Sequence, residues 1–167
     1  MFRIAAETPE DAEEIEYLFD LAFAPGRTAL SSYRLREGIA PLAKLSCVIR
    51  DDYDALAGAV RFWPVRVANK PALLLGPIAI HPVRQGEGLG ALLMSEGLAR
   101  AQADGWLRVL LVGDLPYYQR FGFRRVDVQF PQPTNPQRVL GLALADGALN
   151  GITGPVRRWT EGPEVDT

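Results

Sequence analysis

The chain is poor in the residues that build metal centres and covalent crosslinks, with one cysteine and one histidine among 167 residues. A lone Cys47 excludes an internal disulfide and any multi-cysteine metal site. It lies in the apolar run "KLSCVIR" and reads as a buried structural thiol. A lone His81 argues against a histidine-based metal centre or a histidine-dependent triad, so no metal is expected. Charge of neither sign dominates: 18 Lys and Arg face 20 Asp and Glu, a formal net charge of -2, and no basic run occurs. That balance leaves no electrostatic footprint for nucleic acid. No segment approaches the roughly 18 apolar residues of a membrane span, and the opening "MFRIAAETPEDAEEI" lacks the apolar core of a signal peptide. The expectation is a soluble, cytoplasmic protein without nucleic-acid or membrane partners.

What is present is ordinary globular material, 48% hydrophobic and 23% charged. There is no repeat, low-complexity tract or linker. A single domain over 1–167 is expected, with a polar tail over 158–167 that is loose. A first strand is expected near residues 2–5. A helix over 9–23 follows, with Thr8 as N-cap, Pro9 at the first helical position, and Ile15 and Leu18 at helical spacing. A second short helix is expected over 27–37. The runs "LSCVIR" and "ALAGAVRFWPVRV", joined by the Asp-rich "DDYD", read as a hairpin. "ALLLGPIAI" is nearly all apolar and therefore predicts a central strand buried on both faces. A helix over 90–105, a buried strand over 106–112, a short helix in "LPYYQRFGF" and a strand over 123–128 come next. "RVLGLAL" and "ITGPVRRW" are the last strand candidates. A hairpin followed by strand–helix–strand makes a mixed sheet in an α/β domain.

The stretch "IAIHPVRQGEGLGALL" places three alternating glycines between the central strand and a helix. A helix start leaves about four backbone N–H groups without intrahelical partners and carries partial positive charge. Glycines there let an anion approach the backbone. The loop therefore reads as a phosphate cradle, or as a tight strand-to-helix turn. "GEGLGA" satisfies the dinucleotide pattern G-x-G-x-x-A, but such a domain starts with this unit and continues in strand–helix repeats, which this chain does not. No glycine-lysine-Ser/Thr follows, so a P-loop nucleotide site is excluded.

Gln85, Gly88 and Gly90, as Gln-x-x-Gly-x-Gly between a strand and a helix, resemble the coenzyme A motif of the GNAT acetyltransferase superfamily. Downstream, "GDLPYYQRFGF" resembles that family's second landmark, and "GITGPVRRW" resembles the ending of a bacterial branch of predicted acetyltransferases. The resemblance covers residues 2–123 in architecture. It implies the GNAT acyl-CoA N-acyltransferase fold: a mixed central sheet flanked by about four helices, with a splay between the strand over 72–80 and the strand over 106–112. It implies an N-acetyltransferase that takes acetyl-CoA as cosubstrate and acetylates a primary amine by direct attack in a ternary complex. A non-catalytic CoA-binding regulatory module of the same fold is the alternative.

By resemblance, Gln85, Gly86, Glu87, Gly88, Leu89, Gly90 and Ala91 bind the pyrophosphate through their backbone, with Arg84 at the rim. The backbone of Ile78, Ala79 and Ile80 runs beside the pantetheine arm, and Gly76–Pro77 marks a bulge in that strand. Tyr118 matches the proton donor to the CoA thiolate. No carboxylate lies between Pro71 and Ile80, where many family members place a glutamate. Asp114 is a weak candidate for the general base, alongside Glu37 and His81, and a helix-capping role competes for Asp114. "PGRTALSSYRLREG" offers Arg27, Ser31, Ser32, Tyr33, Arg34, Arg36 and Glu37 for an acceptor groove or for a solvated helix face. The acceptor is an amine on a small molecule or a protein, and the family's habit implies a homodimer.

Overall fold

A computed structural model describes residues 1–159 of the chain, so the expected loose tail lies, beyond Trp159, outside the described residues. The described residues form nine strands, β1 (Arg3–Ala6), β2 (Cys47–Arg50), β3 (Leu56–Val67), β4 (Lys70–Ile80), β5 (Arg108–Val112), β6 (Arg124–Arg125), β7 (Val128–Gln129), β8 (Val139–Ala143) and β9 (Gly154–Arg158). The α-helices are α1 (Ala12–Phe23), α2 (Leu89–Ala103) and the single turn α3 (Leu115–Tyr118). Two compact units divide them. The first holds Met1–Ala29, Pro41–Phe62 and Leu75–Asp104; the second holds Leu30–Ala40, Trp63–Leu74 and the described residues from Gly105 on.

In the first unit β1 pairs antiparallel with β2, from Arg3 opposite Arg50 to Ala6 opposite Cys47. β2 pairs antiparallel with the start of β3, with a bulge between Ile49 and Arg50. The end of β4 lies beside β3, where the His81 N–H donates to the Ala57 carbonyl at 2.8 Å. α1 buries Ile15, Leu18 and Phe19 against Val48, Ala59 and Ala79. Side chains alternate across a strand, so Phe62 and Gly58 leave by the face opposite Ala59. There Gly97 of α2 lets the Phe62 ring approach; a Cβ on Gly97 would stand 2.6 Å from it. Cys47 is fully buried, its thiol donates to the Leu45 carbonyl at 3.3 Å, and burial pushes its pKa up to about 11.

The N-terminus of α1 is fixed as its sequence implies. The Asp11 carboxylate accepts from the Thr8 N–H at 2.9 Å and the Thr8 hydroxyl at 3.1 Å, and pairs with Arg50 at 2.7 Å. The helical segment opens with a 3-10 turn over Pro9–Asp11. Beneath α1 lies a charge network that spacing alone does not show. Buried Arg61 pairs with Glu7 at 2.7 Å and Glu16 at 2.5 Å, while buried Arg27 pairs with the same Glu16 and with Asp20 at 3.0 Å. Both guanidinium groups also stand over the Phe19 ring, at 5.5 and 5.7 Å.

In the second unit the strands run β9–β3–β4–β5–β8–β6. β3 turns into β4 through Ala68 and Asn69, whose φ values of 47° and 64° are the left-handed pair a two-residue hairpin requires. β4 pairs parallel with β5 at Leu73–Val109 and Leu74–Leu110, which makes the sheet mixed. β5 pairs antiparallel with β8 along its whole length, from Arg108 opposite Ala143 to Val112 opposite Val139. β9 pairs with the end of β3 and runs parallel to β7. The core gathers Leu35, Trp63, Val65, Val67, Leu74, Leu110 and Phe130. Buried Arg108 bonds two carbonyls, Ala148 at 2.7 Å and Pro71 at 2.5 Å, and burial lowers its pKa.

The mixed α/β architecture is the one the sequence implies, with two local corrections. The helix expected over 27–37 is two 3-10 segments, Pro25–Ala29 and Ser31–Arg36, separated at Leu30, whose ψ of 143° is extended. The extended ψ at Leu30 breaks the helical backbone, while Arg27 in the first segment pairs with Glu16 and Asp20 of α1. The strand expected over 123–128 is split: Arg124–Arg125 pairs with β8, and Val128–Gln129 pairs with β9. Each half finds a different partner, so the chain between them leaves one ladder for another.

Replacing Arg61 with alanine should lower the unfolding free energy by about 3 kcal/mol in a urea titration, because Glu7 is left buried without its charge partner. Burial acts to raise the Glu16 and Asp11 carboxyls, but the arginines hydrogen-bonded to them hold both below the ordinary range. Their contribution is therefore present above the unfolded carboxyl value of about 4 and is lost as pH falls through the lower folded values. Titrations at decreasing pH should show the wild type losing stability there and Arg61→Ala losing less.

Candidate active site

The first unit presents the end of β4 and the loop that follows. Gly76 has φ 132°, a conformation other residues rarely adopt, and Pro77 has no N–H for a ladder. Since the His81 N–H points to β3, alternation turns the N–H and C=O groups of Ile80 and Ile78 away from β3, while the Ala79 side chain packs into the α1 core. The strand thus carries free-edge polar groups on the residues the sequence singles out.

The loop is held from one side. His81 Nδ1 accepts the Val83 N–H at 3.2 Å, capping a 3-10 turn over Pro82–Arg84. The Arg84 guanidinium bonds Asp51 at 2.7 Å, stands 3.8 Å from Glu87 and covers the Phe2 ring at 5.4 Å. Asp51 in turn accepts the N–H groups of Ala55 and Tyr53, which with Arg84 hold its carboxyl below the ordinary range. Arg84 therefore ties the loop to the β2–β3 turn. Sequence reasoning missed Asp51, although the "DDYD" turn marked the place. Gly86 and Gly88 have φ 88° and 78°, and a Cβ on either would meet nothing within 4 Å. Gly88 is the N-cap of α2, and the first N–H to bond back is that of Leu92, to the Gly88 carbonyl at 3.3 Å. The N–H groups of Leu89, Gly90 and Ala91 precede it and have no intrahelical acceptor. Open backbone, missing side chains and the positive end of a four-turn helix make this a fitting seat for a phosphate.

The second unit presents the turn after β5. Asp114 is the N-cap of α3; its carbonyl accepts the N–H groups of Tyr117 and Tyr118, both at 3.1 Å. Its carboxylate does not cap the helix and is ion-paired with Arg138 at 3.3 Å. The Tyr118 ring lies edge-on to Tyr117 at 4.8 Å and to Phe123 at 5.9 Å, and Tyr117 meets Phe121 at 5.8 Å. Burial first, then the neighbouring Tyr117 and Asp114, push the Tyr118 phenol up to about 12. A glycine sequence reasoning passed over sets this ring: a Cβ on Gly113 would stand 2.4 Å from Tyr118 Cε2. The signal was a glycine ending a strand five residues before the tyrosine.

The segment expected at an acceptor groove is occupied with its own packing. Ser31 donates to the Pro133 carbonyl at 2.6 Å, Arg34 to the Gln132 carbonyl at 3.0 Å, and Arg36 lies over the Tyr33 ring at 4.5 Å and bonds Ser32 at 3.4 Å. The Glu37 carbonyl accepts from Arg158 at 3.2 Å. Among the described residues no helix is long and apolar enough to cross a membrane, and no group of three His, Cys, Asp or Glu side chains could hold a metal ion.

Residues 43–125 match the family model of the acetyltransferase (GNAT) domain. Over 158 residues, 92% of this chain and 93% of the relative, the chain is 34% identical to the uncharacterized N-acetyltransferase YhbS of Escherichia coli strain K12. The crystal structure of Escherichia coli YhbS in complex with CoA has a TM-score of 0.82 at 31% identity, over 97% of this chain and 94% of that one. A GNAT family acetyltransferase from Brucella melitensis, crystallised with acetyl-CoA, has a TM-score of 0.73 at 29% identity, over 96% of this chain and 97% of that one. Sequence and fold agree, and the chain belongs to the GNAT acetyltransferases.

Gly113→Ala should push the Tyr118 ring out of its seat and let its phenol titrate closer to the ordinary value of about 10. Phenolate absorbance against pH, with Tyr118→Phe as the reference that removes this phenol, reads the shift.

Proposed function

We propose that this chain transfers the acetyl group of acetyl-CoA to a primary amine by direct attack in a ternary complex. The observation that carries the reading is the open backbone of Gly86 and Gly88 at the N-terminus of α2. The pyrophosphate is held by the backbone from Gln85 to Ala91, with Glu87 serving through its N–H while its side chain, 43% exposed, faces Arg84 and solvent. The turned-out polar groups of Ile78 and Ile80 pair with the amides of the pantetheine arm. The CoA and acetyl-CoA complexes of the Escherichia coli and Brucella relatives support this assignment.

Acetyl-CoA supplies an acetyl group activated as a thioester. The amine nitrogen attacks the carbonyl carbon, a C–N bond forms and the C–S bond breaks. Tyr118 Oη gives its proton to the departing thiolate, leaving CoA with a free thiol. The nitrogen loses one proton to solvent, with Asp114 beside Tyr118 as the nearest carboxylate in the turn to relay it, and the phenol is reprotonated. A phenol near 12 keeps its proton at every working pH, yet it is a poorer acid than a thiol of about 8.5. The same burial that raises Tyr118 raises a thiolate desolvated beside it, which narrows the gap. The amine attacks as its free base, and β4 has no carboxylate between Pro71 and Ile80 to take its proton. That absence also favours, as a second reading, a CoA-binding module without turnover; the seated Tyr118 weighs against it.

The deciding experiment is thiol release from acetyl-CoA over a panel of amines, beside calorimetric titration with CoA. Turnover supports the enzyme; binding without turnover supports the module; no binding overturns both. Tyr118→Phe should lower kcat about a hundredfold and leave CoA affinity unchanged. Gly88→Val should raise KM for acetyl-CoA at least about tenfold, because it fills the approach to the backbone and strains a φ of 78°. Unaltered CoA binding in Gly88→Val would remove the loop from the site.

A further inference from the structure

The turn that carries Tyr118 is also one wall of a broad cavity in the second unit. It has a volume of about 750 Å³ and is lined by Asp114, Leu115, Tyr117, Arg125, Gln137 and Arg138 among others. Its charge is unbalanced: two guanidinium groups face one carboxylate. Arg138 turns Nε toward Asp114 at 3.3 Å, and its terminal nitrogens make no hydrogen bond to another described residue. Arg125, on β6, donates Nη1 to the neutral Gln137 side-chain oxygen rather than to an acid. Leu115, Pro116 and the half-exposed Tyr117 ring also line it, with the Arg120 guanidinium 4.4 Å from the centre of that ring. The recess is shallow and open to solvent along much of its extent, with room for a small molecule.

A guanidinium recognises a carboxylate through two parallel hydrogen bonds, geometry an uncharged amide cannot reproduce. We propose that this cavity receives the acceptor and that the acceptor is an amino-carboxylate, its carboxylate taken by Arg138 and Arg125 and its apolar part laid against Leu115 and Tyr117. The inference rests on the acetyl-transfer reading above and names the substrate class of that site. Asp114 stays on the amine side, where its negative charge favours the nitrogen over a second anion. The same Asp114 and Arg138 bear electrostatically on the Tyr118 phenol, so the groups that hold the acceptor adjoin the group that gives the proton.

Matched pairs test it: leucine against leucinamide, and phenylalanine against phenylalaninamide, assayed by thiol release at saturating acetyl-CoA. The amides have the less basic amines and enter more fully as free base, so amine basicity alone favours them. The expected result is a KM at least about tenfold lower for the acids. Arg125→Gln, on β6, should raise the KM of the acids about tenfold with kcat little changed and leave the amides where they were. Arg138→Gln, which also releases Asp114, should raise the acid-to-amide ratio of KM about tenfold whatever it does to kcat. Both should leave CoA affinity by calorimetry unaltered. Arg138→Lys should recover part of the loss. Equal use of acid and amide overturns the proposal, as does a rise in KM shared equally by both series or absent from both variants. So does binding of CoA with no turnover of either series. Failure of CoA itself to bind would instead overturn the acetyl-transfer reading, and this inference with it.

Discussion

Pro77 has no N–H to donate, and it stands in the most apolar strand of the chain. By alternation from His81 its nitrogen lies on the β3 side of the strand, and with Gly76 at φ 132° the strand reaches it already bent from regular geometry. The pairs that β4 makes with β5 lie before this point, at Leu73 and Leu74. Beyond it, the register with β3 is kept by the His81 N–H on the Ala57 carbonyl. One edge of Ile78–Ile80 is therefore fixed and the other is left with polar groups to satisfy. A strand that ended its pairing through mere fraying would present no such ordered edge; one held against β3 beyond the bend at Gly76 does.

The loop after β4 shows how a glycine-rich segment is kept open without being loose. Glycines give access but also disorder, and the cost is met by bonds made on the far side of the loop. His81 closes the 3-10 turn, and Arg84 reaches to Asp51, which is itself fixed by two backbone N–H groups. The charged side chains around the loop are thus spent on holding its shape, and its open face is left to backbone N–H groups and the start of the helix. The same division appears in the second unit, where Gly113 makes room for the Tyr118 ring and Asp114 fixes the turn through its carbonyl. In both places a glycine supplies space and a neighbouring polar residue supplies order.

Buried charge is managed in two ways. Beneath α1, Arg27 and Arg61 share Glu16, and each has a further carboxylate, so the charges are neutralised within the network. Arg108 has carbonyl partners, which satisfy its donors without cancelling its charge, and its pKa falls accordingly. The cavity beside α3 is different again: its arginines outnumber its acid and remain half open to water. That surplus is the feature expected of a site for an outside anion and not of a structural pair.

Local rules carried the reading of the sequence a long way. Periodicity placed α1, α2 and β4 because each buries a face of a regular element, and glycine and proline spacing located the loop because those residues act on their own backbone. Two landmarks at the right separation gave the family. The rest depended on partners distant in the chain. Residues 27–37 had a helical look, but the backbone turns extended at Leu30, and Ser31 and Arg34 bond carbonyls at Pro133 and Gln132, about a hundred residues on. The strand expected over 123–128 splits because β8 and β9 each claim part of it. Arg84 was expected at a ligand and is found on Asp51, 33 residues earlier. The sequence by itself determined most of the elements and the family; only the tertiary structure decided which charges are already spent and which remain, because pairing is settled by distance in space and spacing along the chain does not encode it.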